Sequence, residues 1–182
     1  MKKTVMILAE GFEEVEALAA ADLLRRAEIG CDLASLAGTE TVTGSHGITV
    51  RADRGFPGLT AEDYDGIILP GGMPGTRRLA ESEALLSLLR DFATAGKLTA
   101  AICAAPTVLG KAGLLEGKRA VCYPGKEEGL TGAAVGTEPV AVDGTVITSR
   151  GLGTAVPFGL ALVAYFAGQP RADKLASAIV YA

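Results

Sequence analysis

The sequence predicts an α/β sandwich, a mostly parallel sheet covered by helices on both faces, with edge hairpins. Short apolar runs with β-branched members alternate along the chain with stretches whose apolar residues recur at helical spacing. The runs are mostly apolar throughout rather than alternating, as strands buried on both faces require. The composition fits such a core: apolar types make up 49% of 182 residues, glycine is abundant at 24, and aromatics are sparse at 5%, which implies small, tightly packed side chains. At roughly 100–200 residues per domain, the length predicts one domain over 1–182.

The elements follow in order. Residues 5–9 read as a buried strand ended by Glu10–Gly11. Val15, Leu18, Ala19, Leu23 and Leu24 then mark an amphipathic helix of about 15 residues, closed by Gly30. A second strand spans 31–37, and residues 41–51 suggest a small hairpin turning at Gly44–Ser45–His46–Gly47. Ile67–Ile68–Leu69 is the next strand, broken by Pro70–Gly71–Gly72. Leu85 to Phe92 mark a helix, 98–102 a strand, 104–112 a helix and 118–122 a strand, followed by a glycine-rich stretch over 129–136. Residues 140–148 form a hairpin around Asp143–Gly144, where glycine supplies the positive φ of a tight turn. Two helices, 156–167 and 172–181, close the chain.

Charge and residue counts exclude several kinds of chemistry. The net charge of −4 argues against a nucleic-acid or anionic-membrane surface as the main partner. A lone histidine, His46, rules out a multi-histidine metal site and predicts no metal. Cys31, Cys103 and Cys122 have no C-x-x-C spacing, and three widely spaced cysteines fit reduced thiols in a cytoplasmic protein better than a disulfide framework. The apolar run after Lys2–Lys3 is too short for a secretory signal, and the late one near 156–167 is too short to span a bilayer. No G-x-G-x-x-G follows a strand and no P-loop occurs, so no nucleotide cofactor is expected.

In an open α/β sheet, ligands bind beyond the carboxyl ends of the strands. Cys103 stands there, in Ala101–Ile102–Cys103–Ala104–Ala105. A nucleophile flanked by small residues fits a sharp strand-to-helix elbow, and a helix start would lower the thiol pKa. The competing reading is a buried core cysteine, which is also the better reading for Cys31 and Cys122. Glu16, one turn into the first helix, can face the same sheet edge. A carboxyl beside a thiol shares a proton with it and can donate to sulfur or accept from substrate. The competing reading is an acidic first turn, since Glu13, Glu14 and Glu16 all suit a helix start. Gly71–Gly72 allows close backbone approach and can offer N–H groups to an oxyanion, or can be an ordinary turn. His46 sits in the edge hairpin and reads as a surface or interface residue.

Five stretches together resemble a known family: 8–16 (LAEGFEEVE), 36–38 (LAG), 64–72 (YDGIILPGG), 100–106 (AAICAAP) and 148–154 (TSRGLGT). The chain is similar to the ThiJ/PfpI superfamily, in the subfamily of the human parkinsonism-associated deglycase. That resemblance implies a flavodoxin-like sandwich of the class I glutamine amidotransferase-like kind, and a homodimer. It implies that Cys103 is the reactive, oxidation-sensitive cysteine, that Glu16 hydrogen-bonds it, and that Gly72 and Ala104 offer backbone N–H groups, with Gly71, Arg150 and Tyr123 around them. The implied activity is cofactor-free glyoxalase or deglycase chemistry on methylglyoxal-type 2-oxoaldehydes or early glycation adducts. The alternative is a redox sensor or redox-regulated binding protein whose Cys103 oxidises to sulfinate. Tyr123 stands where many relatives carry a histidine, which argues against a Cys-His-acid protease.

Overall fold

The computed structural model describes residues 1–181. β1 (Lys3–Leu8) is buried from Thr4 onward, and its alternate residues serve two cores. Met6 and Leu8 face one, Val5 and Ile7 the other, which is why the run reads as continuously apolar. α1 (Glu14–Arg26) returns the chain to β2 (Gly30–Ser35), which lies parallel to β1. β3 (Thr41–Thr43) and β4 (Thr49–Arg51) form the expected hairpin as a separate two-stranded sheet. β5 (Arg54–Gly55) then adds a short edge to β2.

The chain next crosses to the other side of β1. β6 (Gly66–Leu69) pairs with β1 in parallel. α2 (Met73–Glu81), α3 (Glu83–Thr94), β7 (Leu98–Ile102) and α4 (Pro106–Lys111) follow. β8 (Arg119–Ala120) and β9 (Ala134–Val135) pair with each other, away from the main sheet. β10 (Val140–Asp143) and β11 (Val146–Ser149) make the late hairpin, with Gly144 at φ +61°. α5 (Ala155–Ala167) and α6 (Gln169–Ala178) complete the described chain. The seven-stranded sheet runs β10-β11-β7-β6-β1-β2-β5, parallel except for β10. Strand order reverses between β1 and β6, and such a switch point opens a crevice at the carboxyl ends.

Small side chains set the layer spacing. Ala17, Ala20 and Ala21 of α1 are buried in the core shared with α5. A Cβ at Gly159 would lie 2.5 Å from Leu23 Cδ1, so the two helices meet at a bare glycine. The opposite core gathers Ile67, Leu69, Leu85, Leu89, Phe92 and Leu109 under α3 and α4.

Several boundaries differ from the sequence reading. α1 stops at Arg26, and the second strand stops at Ser35 rather than residue 37. α4 begins at Pro106, not Ala104, because Ala104 and Ala105 belong to the turn. The strand expected over 118–122 shrinks to Arg119–Ala120, because Val121 N–H donates to the Thr148 side chain (2.9 Å) instead of a strand. Cys122 therefore lies outside it. The last helix runs 169–178, since Pro170 starts it readily in its first turn. α2 has no counterpart in the sequence reading: Pro74 and Gly75 look like breakers, yet proline is tolerated in a first turn. Among the described residues no helix is long and apolar enough to cross a membrane.

Candidate functional site

β7 ends at Ile102, and the next residue turns sharply. Cys103 adopts φ +66°, one of three non-glycine residues with positive φ among those described. That region costs a side-chain-bearing residue about 1–2 kcal/mol, so the surroundings must hold it. Cys103 N–H donates to Ser149 O at the end of β11 (3.0 Å), and Cys103 O accepts from Tyr123 N–H (2.8 Å). The backbone makes the sharp turn of an elbow, and Cys103 is partly buried rather than sealed in the core.

The carboxyl arrives from α1. Glu13 is the N-cap, and its Oε2 accepts from Glu16 N–H (2.7 Å), a capping bond that orients the first turn. Glu13 N–H donates to Gly71 O (2.8 Å), and Gly71 N–H donates to Glu16 Oε2 (2.9 Å). These bonds stitch the start of α1 to the loop after β6 and leave Glu16 only 1% exposed. Sequence reasoning treats Glu13 as an acidic neighbour and misses this role; the spacing of three between Glu13 and Glu16 is the signal that finds it.

Gly71 lets the two groups meet. A Cβ there would lie 2.5 Å from both Cys103 Cβ and Glu16 Oε2, and 3.1 Å from Cys103 Sγ. Its φ is not positive, so collision is the whole cost of substitution. Gly71→Ala is expected to lose about 1–3 kcal/mol of stability and to slow alkylation of Cys103, as read by thermal melting and iodoacetamide labelling. Gly72 needs glycine twice over: φ is +91°, and a Cβ would sit 2.5 Å from Glu13 N and Gly11 O.

Burial pushes the Glu16 carboxyl up to about 7, with the Glu13 charge adding to it and hydrogen bonds from Cys103 and Gly71 N–H opposing. Burial, then the charge and hydrogen bonding of Glu16, push the Cys103 thiol up to about 12, against the backbone N–H groups of Ala104 and Gly72. This corrects the expectation that a helix start would lower the thiol pKa. α4 begins three residues on, and burial beside a carboxylate outweighs its dipole. The two groups therefore titrate as a coupled pair, giving up the carboxyl proton near neutral pH and keeping the other well above it. Ala104 and Gly72 do present N–H groups to the sulfur.

The remaining candidates separate. The ring of Tyr123 borders Gly151, and its N–H is bonded to Cys103 O. The Arg150 guanidinium turns away, donating to Thr137 O (3.1 Å). Cys31 and Cys122 are each 3% exposed, with thiols pushed up to about 11 by burial. His46 is exposed and pairs through Nδ1 with Glu14 Oε2 (3.0 Å), fastening the β3–β4 hairpin to α1. Despite its burial, Glu14 is held down to about 2 by hydrogen bonds from the His46 side chain and from backbone N–H groups. Among the described residues Glu13, Glu14 and His46 form the one trio of ligating side chains whose ligand atoms all lie within 4.8 Å of one another.

A model of the DJ-1/PfpI family matches residues 2–165. Protein dj-1beta of Drosophila melanogaster is 39% identical over 183 residues, spanning 100% of this chain and 98% of the relative. Its crystal structure aligns with a TM-score of 0.94 over the same shares. Toxoplasma gondii DJ-1, solved in an oxidised form, is 38% identical with a TM-score of 0.94 over 100% of both chains. The deglycase PH1704 of Pyrococcus horikoshii is 33% identical over 150 residues, covering 81% of this chain and 89% of the relative.

Proposed function

The chain belongs to the DJ-1/PfpI family, and from that premise we propose that it is a cofactor-independent, cysteine-dependent enzyme acting on 2-oxoaldehydes of the methylglyoxal type or their early adducts. The observation that carries this reading is the Cys103–Glu16 pair, a sulfur and a buried carboxyl brought together over the bare Gly71. The similarity to a protein named a deglycase supports it.

The chemistry needs no outside oxidant. With the shared proton on Glu16, the Cys103 thiolate attacks the aldehyde carbon and forms a hemithioacetal. The Gly72 and Ala104 N–H groups, already beside the sulfur, stabilise the new alkoxide before it is protonated. Glu16 gives its proton to that alkoxide; as a carboxylate it then takes the proton from the same carbon and delivers it to the neighbouring carbon, while the hydroxyl proton passes to the ketone oxygen, leaving a thioester. Water cleaves the thioester and frees the thiol. Methylglyoxal plus water thus becomes lactate: one carbon is oxidised and its neighbour reduced. Purified protein given methylglyoxal without glutathione is expected to form lactate, detectable enzymatically; no lactate above the buffer rate overturns this reading.

A second reading draws support from the oxidised form of the Toxoplasma relative. Peroxide would convert the Cys103 thiolate to sulfenate and then sulfinate, with protonated Glu16 donating to the new oxygen. For either role we read residues 1–182 as one domain, set in the cytoplasm, where the free thiols stay reduced. We also read it as a homodimer, which the exposed Val15, Leu18 and Ile48 on α1 and its hairpin support.

A further inference from the structure

Three hydrogen bonds close a ring at the base of the site. Glu13 Oε2 accepts from Glu16 N–H (2.7 Å), Glu13 N–H donates to Gly71 O (2.8 Å), and Gly71 N–H donates to Glu16 Oε2 (2.9 Å). Glu13 is 8% exposed, so water screens its charge poorly where it meets the first turn of α1. Capping alone does not account for this residue. A cap needs only an acceptor oxygen, and Ser, Thr, Asp and Asn are the usual choices; glutamate is not among them.

We propose that Glu13 is a positioning residue for the proton transfer: its buried carboxylate fixes the Glu16 main chain and acts on the Glu16 side chain as a fixed negative charge. The inference rests on the catalytic reading above and concerns how its acid–base group is tuned. Repulsion between like charges favours the protonated form of Glu16, in the same direction as burial. The other charged and titratable groups are placed as follows. On α1, Glu14 pairs with His46 of the hairpin, whose Nδ1 is 3.0 Å from Glu14 Oε2 and 4.0 Å from Glu13 Oε1, so the imidazole offsets Glu14 first. Glu10 is held on Thr43 N–H (3.2 Å). The Cys103 thiol reaches Glu16 from the end of β7. After β11, a Cβ at Gly151 would lie 3.9 Å from Glu16 Oε1 and 3.4 Å from Tyr123 Cδ2, while neighbouring Arg150 is turned to Thr137 O.

The test is the rate of Cys103 alkylation by iodoacetamide against pH, read by mass spectrometry, which needs no turnover. Loss of the carboxyl proton gives access to the thiolate, so the wild-type rate should rise through about pH 7 and then level. Glu13→Gln keeps an acceptor for Glu16 N–H but not the charge, and its rise should come roughly half a pH unit or more lower. Glu13→Asp and Glu13→Asn repeat the comparison with shorter, well-favoured caps, and the neutral member should again titrate lower. In Glu16→Gln the rise near neutrality should be absent, and adding Glu13→Gln should then move nothing, which separates Glu16 from the His46 imidazole. The pH profile of kcat/KM for lactate formation should move with the alkylation profile. Equal midpoints for the charged and neutral members of each pair overturn the proposal; if one variant does not fold, the other pair decides. If the wild type forms no lactate while the midpoints still separate, the catalytic reading fails and the tuning of Glu16 by Glu13 stands.

Discussion

Cys103→Ala is expected to lower lactate formation from methylglyoxal by about 10⁴-fold or more, because no other group at the site can form the covalent intermediate. Among the described residues Glu16 is the one titratable side chain that acts on the Cys103 thiol, and a carboxyl cannot replace a thiolate as the nucleophile in this sequence. The fold should survive: alanine keeps a Cβ at φ +66°, so the backbone cost is unchanged, and the bonds to Ser149 and Tyr123 use only main-chain atoms. Circular dichroism and thermal melting check that. Cys31→Ala and Cys122→Ala serve as controls, since both side chains are buried, each 3% exposed. Equal rates for wild type and Cys103→Ala would falsify the cysteine mechanism, whereas loss in all three variants would point to general damage.

The sheet was legible because strands buried on both faces leave a simple mark. Ile67–Leu69 is apolar throughout and Leu98–Ile102 is so but for Thr99, and each feeds alternate side chains to two cores. The same logic located Cys103, the residue after such a strand, and Glu16, one turn into the helix after another. α2 escaped because its buried apolar contribution is Leu79, too little to set a helical period, while Pro74 and Gly75 look like breakers. β9 escaped because a two-residue strand carries no periodicity. Proton placement escaped for a different reason. A helix start and a neighbouring carboxylate push a thiol in opposite directions, and only the burial of both groups decides between them.

Glu16→Gln separates proton transfer from nucleophilicity and should leave the sulfur in place but stop turnover. Glutamine matches the carboxyl in shape and can still accept from Gly71 N–H, but it cannot take a proton from one carbon and return it to the next. We expect kcat to fall by about 10²–10⁴-fold, the usual contribution of a positioned acid–base group. Cys103 should still be alkylated by iodoacetamide, since the sulfur and its two N–H donors remain. A kcat within a few-fold of wild type would remove Glu16 from the mechanism. Stability gives an independent readout. The folded-state pKa of Glu16 is raised to about 7 from an ordinary 4.5. The folded chain therefore holds a proton that the unfolded chain has released between those values, and stability falls as pH rises through that window. Integrated over it, the loss is on the order of 3 kcal/mol at and above neutral pH. Glu16→Gln has nothing to ionise there, so its melting temperature should stay flatter from pH 4.5 to 7 and exceed that of the wild type at the upper end. The site would then be a place where the protein gives up stability for a proton held at the pH where the reaction needs it.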